Sequence, residues 1–214
     1  MQLTIHGNRN LIARKLEDSD IPKLIEFCDK CKELGIENNK DLASMKLDKM
    51  HMPYGQFFIV LNPEGDIVSV AGVHKFPEVS ENAYRCLFRG AQLPGYAPAF
   101  SMNFFNSGIH FSYLLYMQIQ FIQEFDKNAE FYISTNKNSD TGACSARMNA
   151  IMMPRIEKLG IWRLFRKDTI LYNTLQNIWK VNVLQYMYLR EQWIQQQSNL
   201  VLTDTIRSYT QAPG

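Results

Sequence analysis

The sequence predicts an α/β (α+β) fold, a mixed sheet flanked by helices. Three observations predict it: two β-rich runs joined by a Pro-Gly turn, an apolar helix bounded by strands on both sides, and amphipathic helical stretches near each end. At 214 residues, with 46% apolar and 21% charged residues, the chain can bury a sizeable core and lies far from the composition of disordered chains. One domain with a C-terminal arm accounts for the length better than two full domains.

Residues 11–14 form a short strand, and Asp20 then caps a helix whose first turn tolerates Pro22, because first-turn N–H groups lack intrahelical partners. Ile21, Leu24, Ile25, Cys28 and Cys31 recur at helical spacing, and Gly35 suits the residue after the helix end. Residues 37–54 carry Leu42, Met45, Leu47 and Met50 in a looser pattern that predicts a second helix. Runs 57–61 and 67–74 flank Asn62-Pro63-Glu64-Gly65-Asp66, an antiparallel hairpin, and 84–93 adds a third strand.

Residues 94–106, rich in Pro, Gly, Ala and Phe, form a long loop of the kind that often carries function. Ser107 or Asn106 then caps a helix running to about Lys127, and residues 130–135 form a strand reached by that crossover, hence parallel to the strand 84–93. Residues 147–159 read as a helix ending at Gly160, broken or kinked at Pro154. Strands at 162–172 and 177–183 follow, then a helix at 184–197 carrying Met187, Leu189, Trp193 and Ile194, and a polar tail.

Composition excludes several classes of function. A net charge of +2 is too small a bias to draw the chain to nucleic acid or an anionic membrane. The densest basic group, Arg163, Arg166 and Lys167 interleaved with Trp162 and Phe165, reads as a solvated strand face. The apolar stretch 109–125 is interrupted by His110, Gln118, Gln120, Gln123 and Glu124, so it predicts a buried helix and not a membrane span. The first ten residues lack a secretory pattern, which points to a cytoplasmic protein. Cys28 and Cys31 sit late in a helix, away from the helix start that thiol redox chemistry uses and without two further zinc ligands. His6, His51, His74 and His110 are scattered, so no metal is expected, and no nucleotide or hydrolase fingerprint occurs.

The element order resembles that of the GNAT (acyl-CoA N-acyltransferase) family, as a divergent member. The hairpin segment Gly65-Asp66-Ile67-Val68-Ser69-Val70-Ala71-Gly72 is similar to the family's central hairpin, and Asn149 followed by Glu157-Lys158-Leu159-Gly160-Ile161 is similar to the family's last motif helix. Phe105-Asn106-Ser107-Gly108-Ile109-His110-Phe111-Ser112-Tyr113-Leu114-Leu115 resembles the loop that opens its coenzyme helix. The resemblance implies a GNAT-like mixed sheet over residues 1–183, antiparallel in its N-terminal half, in which the family's fourth and fifth strands are parallel and splayed. Residues 184–214 are an addition, a C-terminal helix and tail that could serve as an interaction arm.

Acetyl-CoA or another acyl-CoA is the cofactor implied, with Ala91, Gln92, Leu93, Gly108, Ile109, His110, Phe111, Ser112 and Asn149 as the implied binding residues. The physics behind the loop is general, since free amides and the helix dipole make a helix start an anion site. The sequence departs from the family at three places. Phe105 replaces an Arg or Gln, His110 a Gly or Ala, and Ile156 the tyrosine that often protonates the leaving thiolate. The strand 84–93 has no Asp or Glu to act as a base, and Glu78, Glu81 and His74 are the neighbouring candidates. Two functions are therefore expected: N-acyl transfer to an unidentified amine, or a non-catalytic GNAT-fold module with a degenerate coenzyme site. In the second, the C-terminal helix docks on a second copy or a larger assembly.

Overall fold

A computed structural model of the chain describes residues 3–5, 11–36, 56–94, 96, 110–137, 153–171 and 173–210, with backbone alone for 3–5, 110 and 197–210. The expected helix at 37–54 lies outside these residues. Strand β1 (Leu3–Ile5), which the sequence does not announce, pairs antiparallel with β2 (Leu11–Lys15). Asp20 does not cap the helix that follows, because Arg14 holds both its carboxylate oxygens at 2.6 and 2.7 Å and the Glu17 N–H donates to it at 2.9 Å. The guanidinium holds the Asp20 carboxyl below its usual range, and a short 3₁₀ turn, Asp18–Asp20, leads into the helix.

Helix α1 (Ile21–Glu33) buries Leu24, Phe27, Cys28 and Cys31, spaced i, i+3, i+4 and i+7. Phe27 thus belongs to its core stripe, and Ile25 points to solvent. The helix ends before Gly35, whose φ of +72° suits the expected position. The hairpin forms as expected from β3 (Gln56–Leu61) and β4 (Ile67–Lys75), closed by Asn62, which pairs with Asp66 through backbone and side chain.

β5 (Ala83–Gln92) completes the antiparallel half. A π-helical turn (His110–Leu114) opens the next helix, α2 (Leu115–Gln123), which stops short of the expected Lys127. β6 (Glu130–Asn136) then runs parallel to β5. In α3 (Met153–Lys158), Pro154 is the second described residue, and the stretch 147–152 of the expected helix, on which a break at Pro154 depends, lies outside the described residues. Trp162 Nε1 donates to the Met153 carbonyl at 3.3 Å and ties this helix to the next strand.

β7 (Trp162–Leu171) and β8 (Thr174–Val181) form a hairpin tighter than expected. Asn173 takes φ 61° at the turn, a conformation asparagine tolerates. β7 is the sheet edge, exposed from Arg163 to Asp168 and broken by two register shifts, features that discourage pairing with another chain. Helix α4 (Val183–Thr210) extends well past the expected end at 197. Its start is set by Asn182, whose side-chain oxygen accepts from the Gln185 N–H at 3.2 Å.

Among the described residues, eight strands form one sheet in the order β1-β2-β3-β4-β5-β6-β8-β7. β3 and β4 are buried along nearly their whole length, so both faces are covered. The Phe58–Phe121 ring contact at 5.8 Å places α2 on the Phe58 face. Phe27, Val68 and Leu93 meet in one concavity, which places α1 on the other face. Among the described residues, no helix is long and apolar enough to cross a membrane.

Candidate functional site

The parallel pairing of β5 with β6 is short: Ala83↔Glu130, Tyr84↔Phe131 and Arg85↔Tyr132. Beyond Arg85 each strand continues along a different neighbour, β5 along β4 as far as Gln92 and β6 along β8 as far as Asn136. The two strands therefore part, and an opening with backbone groups along its edges begins at the Arg85–Tyr132 rung.

β5 is irregular where it opens. Opposite β4 its register runs His74↔Arg85, Gly72↔Phe88 and Val70↔Ala91, so each two-residue step on β4 is matched by three residues on β5. These are two successive bulges, and Leu87 (φ 53°) and Arg89 (φ 46°) take left-handed conformations within them. The bulges keep Arg85, Phe88 and Ala91 on one face despite the extra residues. Gly72 sits at the centre of the irregularity because a Cβ there would lie 2.8 Å from the Phe57 ring.

Each bulge orphans backbone groups, and one side chain from α2 satisfies two of them. The Leu87 N–H donates to Gln118 Oε1 at 2.9 Å, and Gln118 Nε2 donates to the Ala71 carbonyl at 3.1 Å. Of the three glutamines in α2, Gln120 and Gln123 are half-buried and Gln118 is fully buried. Its burial is tolerated because all of this hydrogen bonding is internal. The sequence signal was present, a lone polar residue at the core spacing of Leu114, Leu115, Ile119 and Ile122, but its partners lie on two other strands.

The implied coenzyme residues divide as follows. Ala91, Gln92 and Leu93 lie at the far end of β5, beside the opening. The Leu93 N–H donates to the Val68 carbonyl at 2.9 Å, so by the alternation of an antiparallel ladder the intervening Gln92 turns its N–H and C=O away from β4. Gln92 Oε1 is buried without a hydrogen-bond partner among the described residues. Leu93 faces α1, where a concavity of about 440 Å³ is lined by Lys23, Lys30 and Tyr96 among others. His110, Phe111 and Ser112 form the π-helical turn that opens α2. Gly108, Ile109 and Asn149, together with Phe105, lie outside the described residues. Ile156 is 2% exposed and belongs to the main core.

Helix α4 packs against that turn. Tyr186 Oη donates to the Phe111 carbonyl at 2.5 Å, and Arg190 Nε donates to the Ser112 carbonyl at 2.8 Å. The Arg190 guanidinium lies 3.8 Å from the Tyr116 ring centre, and Trp193 meets Tyr113 edge-on at 6.0 Å. Tyr186, Arg190 and Trp193 follow i, i+4, i+7 spacing, so the sequence stripe was visible with an arginine inside it. Burial pushes the Tyr113 hydroxyl up to about 12, with Arg190 opposing, and raises Tyr186 further still.

On the α1 face of the same opening lies a polar group of side chains. His74 Nδ1 donates to the Lys75 carbonyl at 2.5 Å, so Nε2 keeps its lone pair, buried without a hydrogen-bond partner among the described residues. Burial first, and Arg85 second, lower His74 to about 4. Arg85 Nη2 donates to Gln176 Oε1 at 3.2 Å and lies 5.0 Å from the Phe88 ring, which itself meets His74 at 4.6 Å. Glu78 and Glu81, the other candidate bases, are exposed. Cys28, Cys31 and Cys86 are buried and in no disulfide, and burial raises Cys86 above its ordinary range. Among the described residues no group of His, Cys, Asp and Glu is arranged to hold a metal.

No protein-family model matches the sequence, and no curated protein matches it. Solved structures do resemble it. An acetyltransferase of the GNAT family from Staphylococcus aureus Mu50 superposes with a TM-score of 0.50 at 16% identity, covering 80% of this chain and 98% of that one. A GNAT-family protein from Desulfovibrio desulfuricans gives 0.52 at 13% identity, with 80% and 98% covered. One from Bordetella pertussis gives 0.53 at 12%, with 84% and 99% covered. The chain has the GNAT fold. At these identities the likeness establishes architecture, and the chemistry must be argued from the site.

Proposed function

We propose that the chain is an acyl-CoA-dependent N-acyltransferase that moves an acetyl or other acyl group to an amine. The observation that carries this reading is the parting of β5 and β6 after the Arg85–Tyr132 rung, beside the first turn of α2. A coenzyme A arm carries amides and ends in a thioester. Gln92 fits such an arm, because its backbone groups turn away from β4 and its Oε1 has no hydrogen-bond partner among the described residues. The first turn of α2 supplies the anion-favouring end of a helix for the diphosphate.

The thioester supplies an activated acyl group. In the transfer a C–N bond forms, the C–S bond breaks, and the proton lost by the amine ends on the coenzyme sulfur. The buried Arg85 disfavours a second cation on the α1 face, so an amine bound there is held in its neutral, nucleophilic form. A thermal melt of the full chain with acetyl-CoA tests the reading, since a ligand at a hundredfold over its Kd stabilises by about 2.7 kcal/mol. Thiol release with a panel of small amines then identifies the acceptor. An unchanged melting temperature at millimolar acetyl-CoA would sink the proposal.

A second reading, a non-catalytic binding or assembly module, is favoured by one observation. The Leu87 amide, on the strand that would polarise the thioester carbonyl, is already bound by Gln118. Leu184 (84% exposed) and Tyr188 (59% exposed) on α4 would then serve docking to a second copy or a larger assembly. Acetyl-CoA binding without thiol release for any amine would favour this second reading.

A further inference from the structure

We infer that Arg190, assisted by Tyr186, is a positioning residue for the coenzyme site: by holding the first turn of α2 in its π-helical register, α4 aims the amides that receive the diphosphate. The inference rests on the acyl-CoA reading above and adds to it that the C-terminal helix completes the site. The π-helical turn spans His110–Leu114, and regular α-helix follows from Leu115. A π turn accommodates one residue more than an α turn, and such turns are rare and concentrated at functional sites. Reverting it to α geometry would rotate His110 and Phe111 by roughly 100° about the helix axis relative to Leu115 onward, one residue's worth. The amides of the turn itself would then point elsewhere.

What holds the wide turn is visible. The carbonyls of Phe111 and Ser112, two of its five residues, accept hydrogen bonds from Tyr186 Oη and Arg190 Nε on α4. The guanidinium carbon lies over the Tyr116 ring at 3.8 Å from its centre, a contact that restrains the side chain as it donates to Ser112. Arg190 is 5% exposed, and its Nη2 is buried without a hydrogen-bond partner among the described residues. A buried cation with one nitrogen unsatisfied is a poor device for stability alone, since an apolar residue at this helix contact would pack without the desolvation penalty. The arrangement makes sense when the direction of the Nε–H bond to Ser112 is what matters.

Calorimetric titration of the full chain with coenzyme A tests this. Arg190→Met should weaken binding tenfold or more, and Arg190→Lys should recover part of the loss, since an ammonium can reach the Ser112 carbonyl but cannot stack flat on Tyr116. Tyr186→Phe, which removes one oxygen and keeps the ring, should weaken binding a few-fold and guards against a misfolded Arg190 variant. Asp20→Asn, remote from the site, is the control for general destabilisation and should leave affinity unchanged at a comparable fall in melting temperature. Equal affinity in wild type and Arg190→Met overturns the inference alone, as does an equal loss in Asp20→Asn. A wild-type chain that binds no coenzyme A overturns the acyl-CoA reading and the inference with it.

Discussion

β4 and β5 are antiparallel neighbours of nine and ten residues, and they are built on different plans. β4 is buried from Ile67 to His74 and has no residue at positive φ. β5 begins in the same way, bonded on both sides from Ala83 to Arg85, and then acquires two bulges, two left-handed residues and a flank with no paired strand among the described residues. The difference separates a strand that only supports from one that also presents. A strand hydrogen-bonded on both flanks has no backbone groups left for a ligand, whereas one that loses a neighbour must have its groups satisfied by something else. Within the protein Gln118 does part of this.

The largest test of that difference is Gln118→Leu, which strands the Leu87 N–H and the Ala71 carbonyl in the core. With about 1–3 kcal/mol for each buried unsatisfied group, a loss of about 4 kcal/mol is expected in urea denaturation. A loss under about 1 kcal/mol would mean that the bulges satisfy themselves.

The closed end of the β4–β5 pair should show itself in the pH dependence of stability. His74, opposite Arg85, is held near 4 in the folded chain against about 6.5 when unfolded. Below 6.5 the unfolded chain therefore binds a proton that the folded chain refuses. Stability is full above about pH 6.5 and falls as pH drops toward 4, by up to about 3 kcal/mol. His74→Leu should flatten this slope. Asp20 acts in a lower window: its carboxyl is depressed by Arg14, so its contribution is present above about pH 4 and fades as the pH falls further.

The smallest effect gives the sharpest contrast. Arg89→Gly places glycine where φ is already 46°, and relief of left-handed strain should offset the added freedom of the unfolded chain, leaving stability within about 1 kcal/mol of wild type or slightly above it. Ala71→Gly, on the regular strand next door, should lose about 1 kcal/mol. Equal losses at both positions would remove the distinction between the two strands.

Much of the fold was legible because its signals are local. The hairpin at Asn62–Asp66 and the helix end at Gly35 each follow from what a few neighbouring residues can do. Local reasoning failed where a side chain answered a distant group. Asp20 suits a helix cap, yet Arg14 claimed its carboxylate. The polar residues after 197 suited a tail, and the chain remains helical to Thr210. Of the implied coenzyme residues, Gln92 was placed by motif, and only the ladder alternation shows that its backbone turns toward the opening.

The amino-acid pattern on its own settled which segments become strands and helices and in what order, because the periodicity of burial and the geometry of Gly, Pro and Asn act over a few residues. Tertiary structure decided where β5 loses its neighbour, which side chain closes its bulges, and that Tyr186 and Arg190 grip the first turn of α2. Each of these joins groups dozens of residues apart through hydrogen bonds whose strength depends on burial, and burial exists only once the sheet and its helices have packed.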